Sequence, residues 1–503
     1  MKTKGKPPVG IDLGTTLSEL AIFGEDSKPM VVANREGDLV TPSAVLARKD
    51  QIIVGREALN SAPLAPEYLA TRFKLQMGNP APIFIGEDGV QRTAVDLSAC
   101  VLKKLKDECG ERLGEEITDA VITVPAHFNE GQRRATVEAG RKAGLNVLGV
   151  LNEPTAAGIA YSLDKQKDQV LMTCDLGGGT LDVTILSVQS GRIDTLSTDG
   201  NANLGGSNFD DEIAKLMLSV FRRKHGMQPT PEKYPGFFFD LRERCEQAKK
   251  LLSVARKAVV SIGLDGRQIV EEITREQFEK MIASYLDETI ERCIKALKAA
   301  NLEWKDLTTI ILVGGSTRIP AVAERIEKAS GLKPKMDVEP DLVVAKGAAI
   351  DAGVRLAEKG ERIVVGGKEL PPPAVKKTDV TAYPLGCLAI DGISNIEQNK
   401  VIIPANTPLP ADRYDRFALK EDDQTAARVV VVQGEDGALP QNCHKVGEVA
   451  LEDLPVRLPR EPRIRVNYRY DPDGIVHVKA EDEISGKVAV IDLDYKEGLV
   501  SKS

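Results

Sequence analysis

A short acidic turn bounded by apolar runs occurs twice in this chain, as Asp12-Leu13-Gly14-Thr15-Thr16 and as Asp175-Leu176-Gly177-Gly178-Gly179-Thr180. Each follows an apolar stretch, Pro8–Ile11 and Val170–Cys174, and each leads into an alternating one, Leu17–Phe23 and Leu181–Leu186. The pattern predicts one object made twice: a tight β-hairpin with aspartate at its rim and glycine and threonine in its turn. Two such hairpins face to face can wrap a phosphate chain with backbone N–H groups and hold a metal with their aspartates. Gly14 permits a positive φ, and Thr15 and Thr16 add hydroxyl and amide donors. Alone, the first turn reads better as an ordinary hairpin turn. Three successive glycines in the second cost backbone entropy and favour close approach to a ligand. The duplication points to a nucleoside triphosphate, with hydrolysis as the expected chemistry. Neither G-x-x-x-x-G-K-[ST] nor a strand-linked G-x-G-x-x-G is present, so P-loop and Rossmann readings lack their signature.

With 503 residues the chain exceeds what one core holds, since single cores seldom grow past about 250–300 residues. A net charge of −8 argues against nucleic acid as a partner. No run approaches the roughly 18 apolar residues a membrane helix needs. The basic start, Met1–Lys6, runs into a strand with no small-residue cleavage site, so secretion is not expected and a cytoplasmic protein is. Seven cysteines are scattered without a Cys-x-x-Cys, and the four histidines form no cluster, which favours free thiols over disulfides or a zinc site.

From residue 1 to about 365, strand-like runs (119–124, 170–174, 181–188, 193–198, 308–313) alternate with helical patterns (95–113, 130–143, 209–225, 238–258, 275–300), the texture of an α/β fold. Gly366–Ala374, with three successive prolines, reads as an extended linker. Beyond 379 helical periodicity stops. Runs at 428–433, 447–451, 463–470, 475–480 and 487–494, separated by turns such as Asp471-Pro472-Asp473-Gly474, predict an antiparallel β-domain. The expected organisation is 1–365, a linker 366–378, and 379–503.

A third glycine element, Val313-Gly314-Gly315-Ser316-Thr317-Arg318, stands where a buried strand gives way to a helix. It can receive a nucleoside with Arg318 stacked on the base, or it is a plain strand-to-helix turn capped by Ser316. Glu246, Lys249, Lys250 and Ser253 share one helix face, either a grip on ribose and base or a solvated stripe with an i,i+4 ion pair. Glu153 starts a helix beside Pro154, and Lys74 alone reads as a surface lysine.

In order and spacing these motifs resemble the seventy-kilodalton heat-shock protein family, the DnaK-type chaperones. The matching stretches are Gly10–Thr16, Val124–Asn129, Asn152–Ala157, Asp175–Asp182, Leu204–Gly206 and Val313–Pro320. The similarity continues more weakly through Asp379–Thr381, Asn406–Pro410, Val432–Glu435 and Asp473–Val478. The resemblance implies a two-lobed, actin-like (ribonuclease-H-like) ATPase domain followed by an antiparallel β-sandwich that holds unfolded or extended peptide segments. It implies Mg²⁺ held largely through water by Asp12, Asp175 and Asp182, with K⁺ as a further ion near Asp182. The implied catalytic set is Lys74, Glu153, Asp175, Asp12 and Thr180. ATP or ADP would contact Gly14, Thr15, Thr16, Gly177, Gly178, Gly179, Gly205 and Gly206 through phosphate. The adenosine pocket would be Glu246, Lys249, Lys250, Ser253, Gly314, Gly315, Ser316, Arg318 and Asp341. A J-domain protein and a nucleotide exchange factor are the implied partners.

Four departures modify that expectation. Pro371–Thr378 replaces an acidic, leucine-rich linker, which puts the usual coupling between the halves in question. Leu148-Gly149-Val150 lacks the basic residue that supports J-domain binding in many members. The chain stops where a helical lid would start, which predicts faster peptide release. The segment Ile390–Lys400 is longer than the family's first peptide-embracing loop with fewer apolar side chains, and Ala427 stands where a bulkier residue lines the pocket. The rival readings are a nucleotide-regulated docking protein with one dedicated partner, and a small-molecule kinase or filament protein on the same ATPase core; the β-region argues against the last two.

Overall fold

The computed structural model describes residues 7–24, 28–162, 168–189, 192–336, 342–365, 368–373, 375–421, 423–456, 462–472 and 474–491. Asp341, residues 366–367, Ala374, Asp473 and the end of the strand expected at 487–494 lie outside these residues.

The first half contains β1 (Val9–Leu13), β2 (Leu17–Phe23), β3 (Pro29–Val31), α1 (Ala94–Leu113), β4 (Asp119–Val124), α2 (Glu130–Lys142), β5 (Asn146–Asn152) and α3 (Glu153–Ser162). There follow β6 (Gln169–Leu176), β7 (Leu181–Gln189), β8 (Arg192–Asn201), α4 (Gly206–His225), α5 (Pro235–Val254), β9 (Lys257–Leu264), β10 (Arg267–Thr274), α6 (Ala283–Ala299), β11 (Thr309–Val313), α7 (Pro320–Ser330), α8 (Val343–Glu358) and β12 (Lys376–Thr378). The architecture is mixed α/β with several sheets, consistent with an actin-like ATPase fold.

Two sheets repeat one plan. In the first, ordered β5-β4-β1-β2-β3, the hairpin β1–β2 is antiparallel and β4 runs parallel to β1. In the second, ordered β11-β6-β7-β8-β12, the hairpin β6–β7 is antiparallel and β11 runs parallel to β6. The duplication read from the two turns is thus a duplication of sheets. Helices α3 and α8 pack between them with almost no side chain at the contacts. A β-carbon on Gly10 of β1 would lie 2.1 Å from the Ala349 nitrogen, one on Gly347 would lie 1.9 Å from the Ala156 carbonyl, and one on Gly158 would lie 2.3 Å from Leu186.

The helices expected at 95–113, 130–143 and 209–225 are present with ends shifted by one to three residues. The pattern at 238–258 is corrected. The helix stops at Val254, and Lys257–Leu264 pairs with Arg267–Thr274 around Asp265-Gly266, both at positive φ, the turn geometry that suits a two-residue hairpin. The pattern at 275–300 is broken at Ile282 into Arg275–Met281 and Ala283–Ala299.

After residue 379 the described elements form two four-stranded antiparallel sheets. One orders 397–403, 385–390, 427–433 and 444–451; the other orders 411–417, 464–470, 476–482 and 488–491. Strand 464–470 alternates between buried and outward residues, and Leu385, Ile403, Val431, Tyr468 and Val478 of both sheets share one apolar cluster. Among the described residues no helix is long and apolar enough to cross a membrane.

The glycine contacts give a test. Gly10→Ala forces a methyl against the α8 backbone and should destabilise the first half by about 1–3 kcal/mol or more. Gly392→Ala, with nothing within 4 Å, should leave the melting temperature unchanged in the same calorimetric comparison.

Candidate functional site

Register places an acid opposite each hairpin aspartate: Asp12 faces Glu19 and Asp175 faces Asp182. The two turns touch. A β-carbon on Gly178 would fall 2.0 Å from Oγ1 of Thr16, and one on Gly179 would fall 3.0 Å from Cγ2 of Thr15. Gly14 does not use the positive φ expected of it; a side chain there would collide with the Leu17 carbonyl at 1.9 Å. The carbonyls of Gly177 and Gly178 accept the Gly206 and Ser207 amides at the start of α4, at 2.9 and 2.8 Å. Ser316 donates to the Gly177 carbonyl at 2.8 Å rather than capping α7, and Gly314 (φ 82°) leaves room for Oδ1 of Asp175. All three glycine elements therefore meet at one place.

They border a cleft of about 560 Å³, within the range of small-ligand sites. Asp12, Gly14, Thr15, Thr16, Lys74, Glu153, Asp175, Gly177, Gly178 and Thr180 line it, together with Glu246, Lys249, Lys250, Ser253, Gly314, Gly315, Ser316 and Arg318. Gly179, Gly205, Gly206 and Asp182 stand behind this wall. A β-carbon on Gly205 would fall 2.4 Å from the Gly179 nitrogen, so these two glycines serve backbone packing. Asp182 is buried and accepts the His127 amide at 3.1 Å, with His127 Nδ1 3.0 Å from the same oxygen. The sequence reading missed Leu17, Glu19, Val254, Ile319, Met336 and Val344 in the wall. Of these only Glu19, a charged residue in an apolar strand, carries a signal in sequence.

Lys74 is no surface residue. It is 3% exposed, and its Nζ lies 2.7 Å from Oε1 of Glu153. Burial opposes its charge, but Glu153, Asp12 and Asp175 outweigh that, and its pKa stands above the ordinary lysine value. Burial raises Glu153 against the pull of Lys74, and Asp12 and Asp182 add to the rise, to about 8. Burial and then Glu153, Asp182 and Asp12 hold Asp175 well above the usual carboxylate range. Lys74 stays charged, and Glu153 and Asp175 hold their protons more tightly than free carboxyls do. Thr123 donates to Asp12 at 2.7 Å. Among the described residues no three His, Cys, Asp or Glu side chains are placed to hold a metal directly.

The α5 stripe carries the i,i+4 pair and lines the cleft. Lys250 pairs with Glu246 at 2.6 Å within the helix, while Glu246, Lys249, Lys250 and Ser253 all face the cleft. Lys249 is fixed by Asp210 of α4 at 2.9 Å and by the Gly206 carbonyl at 3.0 Å. Burial lifts Asp210 to about 6 despite Lys249. Arg72, in the left-handed region at φ 55°, reaches Asp210 at 3.3 Å and so joins the first sheet's half to the second's.

The sign of the pH effect follows from Glu153. Between about 4.5 and 8 the unfolded chain ionises this carboxyl while the folded chain keeps its proton, so its contribution to stability falls as pH rises through that window. Glu153→Gln should flatten the decline in melting temperature between pH 5 and 8 for the nucleotide-free protein; an unchanged slope would contradict the assignment.

Residues 8–503 match the sequence model of the family described as Hsp70 protein. The chain is 37% identical over 511 aligned positions to a chaperone protein DnaK of Thermus thermophilus, covering 96% of this chain and 80% of that protein. The chaperone protein DnaK of a second strain of the same species matches to the same extent.

Proposed function

This chain belongs to the Hsp70 family, and we propose that its two touching hairpins bind ATP and ADP with Mg²⁺ as an ATP-dependent molecular chaperone. The observation that carries the reading is the contact of the Gly178 and Thr16 turns beside the buried Lys74–Glu153 pair. Family membership does not favour the alternative of a dedicated docking protein.

The residues fit the nucleotide and the ion. Glycines leave backbone amides bare at the turns, and one buried lysine beside two raised carboxylates leaves room for further positive charge. We assign Asp12, Asp175 and Asp182 to the ion through its waters, with K⁺ near Asp182. Mg²⁺, when bound, neutralises charge developing on the phosphates. Lys74 and Glu153 orient the attacking water, with Thr180 beside them. The glycine turns cradle phosphate, and the α5 stripe with Arg318 holds the nucleoside. Asp341, outside the described residues, keeps its assignment from resemblance alone.

The domains are read as 1–365, 366–378 and 379–503, the last as a β-sandwich for extended apolar peptide. Ile390, Ile393 and Ile396 support this reading, since all three stand exposed at the loop that the sequence reading took as poor in apolar side chains. Coupling is supported by contacts between the halves. Asn152 and Thr155 donate to Asp379 at 2.7 and 3.3 Å, and the Tyr383 hydroxyl donates to the His127 carbonyl at 2.9 Å. Asn152 adjoins Glu153, and His127 holds Asp182. Unfolded segments, a J-domain protein and an exchange factor are the proposed partners, and the cytoplasm the proposed location.

Two measurements check this. Asp175→Asn or Lys74→Ala should cut ATP turnover by about 10²-fold or more while the fold persists by circular dichroism. An apolar peptide should accelerate turnover in the unaltered protein; turnover independent of peptide would defeat the coupling.

A further inference from the structure

The segment joining the two halves is tied down along its described length. Ile363, Val365 and Leu370 are buried in the core of the first half. A β-carbon on Gly353 would lie 3.0 Å from the Pro373 ring, so the proline rests on α8 where a side chain is missing. Lys376–Thr378 then joins the second sheet as β12, parallel to β8, with Ile193 opposite Lys377. From this strand Lys377 reaches α8: its Nζ is 2.8 Å from Oδ1 of Asp351, whose Oδ2 accepts Nε of Arg355 at 2.7 Å. Asp351 is 3% exposed, and Arg355 also donates to the Leu148 carbonyl at 3.3 Å.

A three-residue edge strand has few hydrogen bonds to hold it, and the prolines before it donate none. What fastens the last stretch is charge in a poorly solvated place. We propose that the linker of this chain is locked onto the ATPase half by an ion latch, Lys377 seated on the buried Asp351 beside Arg355. The two cations make the latch asymmetric. Without Lys377, Asp351 keeps its partner in Arg355. Without the Asp351 charge, Lys377 faces the Arg355 guanidinium where its anion stood, the costly way to break a buried pair. Among the described residues beside the strand, Arg192 and Asp194 of β8 pair with each other at 2.7 Å, Arg192 also donates to the Thr378 hydroxyl at 3.3 Å, and Asp379 accepts Asn152. The latch rests on the chaperone reading and deepens it by naming what holds its linker, but its first test needs no nucleotide.

The test is limited proteolysis of the full chain with thermolysin, which cuts before bulky apolar residues such as Val375, so the lysine-to-glutamine variants keep its site. Cleavage within 366–378 reports the fraction of open linker when opening is fast relative to cutting. Asp351→Asn should raise that rate tenfold or more, and Lys377→Gln severalfold. Asp351→Asn combined with Lys377→Gln should fall back to about the Lys377→Gln rate, because no lysine then faces the Arg355 guanidinium. Equal rates for Lys377→Gln and the unaltered protein would overturn the latch. So would a double variant whose rate is the product of the two single effects. If Asp351→Asn fails to fold, Lys377→Gln decides the matter alone. ATP turnover is measured alongside. Absent turnover in the unaltered protein defeats the functional reading and leaves the latch standing, whereas turnover with an undisturbed linker in Lys377→Gln does the reverse.

Discussion

The approach of Gly178 to Thr16 is the contact on which the site depends. Two loops from separate sheets can come this close only because one presents bare backbone; a methyl on Gly178 would overlap the threonine hydroxyl at 2.0 Å. That approach brings Asp12 and Asp175, each at the end of its own hairpin, to one cleft. It also explains why glycine recurs behind the wall. Gly205 and Gly314 stand against Gly179 and Asp175 where any side chain would push the second turn away from the first. Neither has to touch a ligand to be required.

The electrostatics of the cleft follow from that geometry. Once the turns meet, Asp12 and Asp182 act on the buried Glu153 and Asp175, and the fold supplies Lys74 as the buried cation beside them. A protein seeking stability alone would remove such a cluster, because like charges out of water raise one another's pKa and cost free energy. Retaining it makes sense where a bound cation relieves the repulsion. The strain then becomes differential affinity for a charged ligand, and the free-energy difference can be used to choose between conformations.

Much of this was legible in the residues. The Asp-Leu-Gly turns announced the hairpins, and their repetition announced paired sheets. The α5 stripe needed resemblance to be chosen, since its Glu246–Lys250 pair is what a solvated face would also show. Lys74 could not be read locally, because its burial is imposed by Glu153, 79 positions away in sequence. The β9–β10 hairpin was missed although Asp265-Gly266 is a strong two-residue turn, because the preceding helical period was carried too far. The docking of β12 had no signal either. Lys376-Lys377 reads as a solvated charge pair until a buried Asp351 is placed beneath it, and that meeting is set by tertiary structure alone.

The junction of β5 and α3 shows how the cleft and the β-region can sense one another. Asn152 and Glu153 are neighbours in sequence, yet one donates to Asp379 and the other meets Lys74. Arg133 fixes Asn152 from behind through a 2.6 Å hydrogen bond and also binds the carbonyls of Ala126 and Phe128, the residues on either side of His127. His127 in turn joins Asp182 to Tyr383. Both routes out of the cleft are thus pinned by one buried guanidinium. A shift at Glu153 or Asp182 that the packed core cannot absorb must appear as a changed position of Asp379 or Tyr383, the two residues by which the β-region begins. Coupling of this kind needs no long pathway, only two arrangements of one rigid corner that a ligand in the cleft and a partner on the β-region prefer differently.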